Sequence, residues 1–123
     1  MEEHRHTING IKTRYNLAHA QLRAGTYSSG LEEVERDVKA RYLPEYIARC
    51  LISRGLYLEE DLTLVETGIQ QLKENELFFE CSEVTAEIAA YYKERGDVQT
   101  ASHYMELSHL MRHHHVTSGV DQS

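Results

Sequence analysis

Apolar residues recur along most of this chain every third or fourth position, interrupted by short polar stretches, and nowhere alternate over the length of a strand. Near the C-terminus Ala101, Tyr104, Met105, Leu107, Ser108 and Met111 form a stripe, with Gln99, His103, Glu106 and His109 on the other face. This periodicity predicts helices near 7–24, 29–41, 44–55, 59–74, 77–95 and 98–114. Pro44 suits the first turn of the third helix, where its missing N–H costs nothing. Asp97 suits the N-cap of the sixth, and Asn75 a left-handed stop after the fourth.

Three segments share a further regularity. Ala18, Ala48 and Ala89 each lie seven residues before a glycine, namely Gly25, Gly55 and Gly96. An alanine lets a neighbouring backbone come close, and a glycine can end a helix in the left-handed region without a Cβ clash. Each segment therefore predicts a pair of antiparallel helices joined by a short turn. The fold class expected is all-α, a right-handed α-solenoid of about three such pairs spanning residues 1–115, with the small polar segment 116–123 as a frayed tail.

Length and composition narrow the function. A chain of 123 residues with 41% hydrophobic content suits one domain with a modest core. No apolar run approaches the roughly 20 residues that cross a bilayer, and the charged start leads into no signal-peptide core, so a cytoplasmic protein is expected. Cys50 and Cys81 lie within apolar helical patterns and suit a reducing compartment as small core residues. A net charge of -7 opposes general binding to a phosphate backbone, which points away from nucleic acid and toward protein or peptide partners.

The third segment resembles a tetratricopeptide repeat. Counted from Ser82, Ala89, Tyr92, Ala101 and Met105 fall where that family places its small, tyrosine, alanine and large residues, with Gly96-Asp97 as the turn. In the first two segments Gln21 and Leu51 replace the tyrosine, and Gly30 and Glu60 the second alanine. The irregular repeats are similar to the peptide-sensing C-terminal regions of bacterial regulators in the Rap, PlcR and NprR group. That resemblance implies a protein- or peptide-binding module, the sensor or adaptor of a transcriptional regulator, with self-association into a homo-oligomer as the alternative. It implies a concave face bearing Lys12, Tyr15, His19 and Arg23 in the first segment and Tyr42 and Arg49 in the second, able to hold an acidic peptide.

Other clusters carry less. His109 and His113 share a helix face at a chelating spacing, but no third ligand is in register, and histidines near a helix end are explained by its dipole. The acidic runs Glu32-Glu33-Glu35-Asp37 and Glu59-Glu60-Asp61 read as solvated helix starts. With no nucleophile, phosphate loop or His–carboxylate pair beside them, the sequence predicts no enzyme, no cofactor and no metal.

Overall fold

The structure is a computed structural model that describes residues 2–26 and 30–121. Within them the chain is all-α: α1 (Glu2–Arg23), α2 (Gly30–Arg41), α3 (Pro44–Ser53), a π-helical turn (Arg54–Leu58), α4 (Leu62–Glu74), α5 (Phe78–Glu94) and α6 (Val98–Asp121). No helix among the described residues is long and apolar enough to cross a membrane. The chain divides into two compact units, Met1–Gly68 and Ile69–Ser123.

In the first unit α1 and α2 run antiparallel and share a core. Ile11, Tyr15, Ala18 and Leu22, spaced by four, three and four residues, make one buried stripe on α1. Leu31, Val34 and Val38 from α2 and Cys50 from α3 close on it, with Leu43, Tyr46, Ile47 and Tyr57 packed at its edge. Arg14 and Asp37 join the two helices on the outside at 2.6 Å. In the second unit α5 and α6 form an antiparallel hairpin. Tyr92 stacks on Tyr104 near the turn, the Ser108 hydroxyl donates to the Ser82 carbonyl at 2.7 Å, and Phe78 stacks on His114 toward the open end.

The helix stops follow one chemistry. After α1, α2, α4 and α5 the chain makes paired amide-to-carbonyl bonds back into the last turn, such as Gly25 to Leu22 with Thr26 to Gln21, and Gly96 to Lys93 with Asp97 to Tyr92. Gly25 and Gly96 take the left-handed position at φ 82 and 83, as the sequence predicts. At the other two stops the residue is Tyr42 (φ 51) or Glu76 (φ 58), so the left-handed residue after α4 is Glu76 and not Asn75. Asn75 instead bonds back to the Gln71 carbonyl through its side chain. Asp97 caps α6 by accepting from the Thr100 amide, and Pro44 opens α3.

Gly55 does not end a helix. It sits inside the π-helical turn, where the Glu59 amide reaches back to the Arg54 carbonyl. Its place is set by close approach, because a Cβ there would lie 2.8 Å from the Asp61 carbonyl oxygen and 2.9 Å from Val65. Gly68 is the counterpart on α4, where a Cβ would lie 2.6 Å from Ile52 and 2.8 Å from the Ala48 oxygen. Ala18, Ala48 and Ala89 are all buried, as close crossings require. Met105, which the sequence places in the α6 stripe, is exposed, and the buried set there is Ala101, Tyr104, Ser108 and Met111. α6 also runs to Asp121, beyond the end predicted near 114 and through part of the segment read as a tail, since neither proline nor a stop signal intervenes before Gly119.

Two glycine-to-alanine substitutions should move stability in opposite directions. Gly68→Ala forces a Cβ into backbone and should cost about 1–3 kcal/mol. Gly10→Ala, in α1 with nothing within 4 Å of the added atom, should gain up to about 1 kcal/mol through helix propensity. Urea unfolding midpoints of the two variants check both signs.

Candidate functional site

Three of the six residues expected on a concave binding face come together beside Ser53, Tyr15 buried and His19 and Arg49 half-buried. Tyr15 projects from α1 into the core, and its hydroxyl shares a 2.9 Å hydrogen bond with Ser53 Oγ and lies 3.4 Å from the Arg49 carbonyl. One turn along α1, His19 Nδ1 lies 2.9 Å from the same Ser53 oxygen. The His19 ring stacks on Tyr15 and meets Tyr57 edge-on, while Tyr46 meets Tyr15 edge-on from the other side. Arg49 is held along α3 by Glu45 at 2.9 Å. Tyr15 is 5% exposed, so it cannot be the open contact surface expected of it. The spacing of four between Tyr15 and His19, which places both on one helix face, is the spacing that points them at Ser53.

The other three are exposed. Lys12 and Arg23 are exposed on α1, and Tyr42 is exposed in the short link between α2 and α3. Lys12, Tyr15, His19 and Arg23 recur at three- and four-residue spacings along α1, but Tyr15 among them is buried.

A second cluster was not among the sequence-selected residues. Glu35 of α2 is 4% exposed and ion-paired with Arg54, the first residue of the π-helical turn. Arg54 also reaches Glu59 at 3.4 Å. Burial raises the Glu35 carboxyl above its ordinary value of 4.5, more than Arg54 and Lys39 lower it. The signal in the sequence was its position: Leu31, Glu35 and Val38 are spaced as one buried stripe, with a charge in its middle. Burial likewise raises the Tyr46 hydroxyl, with Glu45 adding to it.

Ser53 and His19 have the spacing of a nucleophile and its base. Ser53, however, is 1% exposed and shares its hydroxyl with Tyr15, so the pair ties α1 to the end of α3. Among the described residues no group of three His, Cys, Asp or Glu side chains could hold a metal ion. The histidine run lies within α6 and not in its last turn, so the helix dipole is not its explanation. His114 stacks on Phe78, and His115 tilts against Phe79, which Arg112 also approaches. Phe79 is exposed, whereas Tyr104 is buried.

The chain is similar to the type II methyltransferase M.CeqI of Rhodococcus hoagii, with 32% identity over 125 residues. The match covers 98% of this chain and 24% of the relative, so the chain spans about a quarter of the length of the curated relative it matches. No family model and no solved structure matches. This similarity overturns the functional expectations drawn from the sequence. A peptide-sensing regulator module, a self-association module, a part without enzymatic connection and a protein with no nucleic-acid partner are the expectations that the similarity to a methyltransferase contradicts. The misleading signals were the alanine and glycine spacings. These report how helices cross and stop, and such packing serves many activities alike.

Two predictions arise from the buried groups. Because the folded Glu35 carboxyl is raised, its contribution to stability is fully present below the unfolded value and is lost as pH rises through the folded one. The stability of the native protein relative to Glu35→Gln should therefore fall as pH rises above 4.5, measured by urea unfolding across that range. Burial also pushes the Cys50 thiol up to about 12 and the Cys81 thiol up to about 11. Both should resist a thiol reagent in the native protein and react at once in denaturant, read by the absorbance of the released chromophore.

Proposed function

We propose that this chain is a helical module of a type II methyltransferase and takes part in methylating DNA. The observation that carries the reading is the similarity to M.CeqI along nearly the whole chain. The match runs over 98% of this chain and is not confined to an isolated motif. The module contributes rigid helix pairs, tied internally by Ser53 and by the Glu35–Arg54 pair, that present exposed side chains at fixed positions to the substrate. DNA as substrate and a methyl donor as co-substrate belong to this proposal. So does the finer arrangement expected from the sequence, helix pairs stacked as a right-handed solenoid; antiparallel pairing and the buried Ala18, Ala48 and Ala89 support it.

The test is genetic. Disrupting the coding segment for this chain in its own host should remove methylation at one DNA sequence motif, read by single-molecule sequencing of the genome. A methylation pattern unchanged at every motif would reject the reading.

A further inference from the structure

Tyr42 is the residue whose identity the fold explains least. It sits between α2 and α3 at φ 51, in the left-handed region that Gly25 and Gly96 occupy at comparable stops. A side chain there carries a steric cost that glycine avoids. The ring gains little by packing, since at 76% exposure it is the most exposed large hydrophobic side chain among the described residues. It is also held firmly. The Tyr42 and Leu43 amides bond back to Lys39 and Val38, and Pro44 starts the next helix directly behind.

The charge beside it is positive in an otherwise acidic chain. Arg36, Lys39 and Arg41 are exposed on the second half of α2. The nearby carboxylates are already engaged: Asp37 by Arg14, Glu45 by Arg49 and Glu35 by Arg54. Glu32 and Glu33 lie in the first turn, at the other end of the helix. The helix dipole accounts for Lys39 and Arg41 in the last turn, but it gives no reason for an aromatic ring in solvent at a position that favours glycine.

We propose that Tyr42 stacks on an accessible base of a DNA strand while Lys39 and Arg41 meet its phosphates. This rests on the reading of the chain as part of a DNA-methylating enzyme. Stacking on an aromatic ring suits any base, because every base has a π-face, and flanking cations supply the salt-sensitive attraction to the backbone. The strained stop serves as a pedestal, holding the ring clear of both helices.

The test uses the full chain and fluorescence anisotropy with three labelled probes: a DNA duplex, the same duplex with one mismatched pair, and its single strand. Native protein should bind the mismatched duplex and the single strand more tightly than the perfect duplex. Tyr42→Gly should raise the urea midpoint by relieving the left-handed strain, yet weaken binding to the two probes with accessible bases about ten-fold. Tyr42→Trp, which keeps a stacking face, should bind them as the native protein does. Lys39→Glu combined with Arg41→Glu should weaken all three probes and flatten the salt dependence. Unchanged affinity in Tyr42→Gly, or no binding of any probe by the native protein, would overturn the proposal. The genomic methylation pattern judges the methyltransferase reading separately.

Discussion

Between α3 and α4 there is room for backbone and nothing more. Gly55, in the turn after α3, and Gly68, on α4, each face the other segment at distances where a Cβ would meet a carbonyl oxygen or a branched side chain below 3 Å. That contact fixes where the chain leaves α3 and how α4 returns, and it places the π-helical turn against α4. The position of the turn then decides two further features. It carries Arg54 to the carboxylate of Glu35 on α2, and it leaves Ser53, the residue before it, under the Tyr15 and His19 side chains of α1. The polar interior of the first unit is thus organised around a steric limit elsewhere.

The polar groups so placed are costly to bury and are accordingly paired. Among the described residues no buried side-chain nitrogen or oxygen lacks a hydrogen-bond partner. Ser53 serves Tyr15 and His19 with one hydroxyl, and Thr85 bonds back to Cys81 and Ser82 within its own helix. A buried ion pair such as Glu35–Arg54 adds little net stability, because desolvation offsets attraction, but it penalises any arrangement that separates the two. Such groups select one register of α2 against the turn.

Much of the fold is legible in the sequence because its signals are local. Apolar spacing, Pro44, Asp97, Gly25 and Gly96 each act through their own helix, and the elements they predict agree with those observed to within a few residues at most boundaries. What the sequence hid depends on meetings between distant segments. Ser53 reads as an unremarked small residue until α1 arrives above it, and Gly55 reads as a stop until α4 shows why no side chain fits. The site suffered most. Tyr15 and His19 share a face, as their spacing says, but spacing alone cannot tell whether that face looks outward or into a neighbouring helix. Overall charge misled in a similar way, since a net value says nothing of how carboxylates are neutralised beside particular cations.

The π-helical turn has a consequence for alignment along the α3 segment. In a regular α-helix, residues four apart drift around the axis by about 40° at each step, so a row such as Ala48, Ile52 and Leu56 would wind away from its neighbours. A wider turn advances less per residue and holds the row straight. All three side chains are buried. The turn works as a phase corrector, by which a helix of ordinary composition keeps a single edge turned inward for longer than its natural pitch allows.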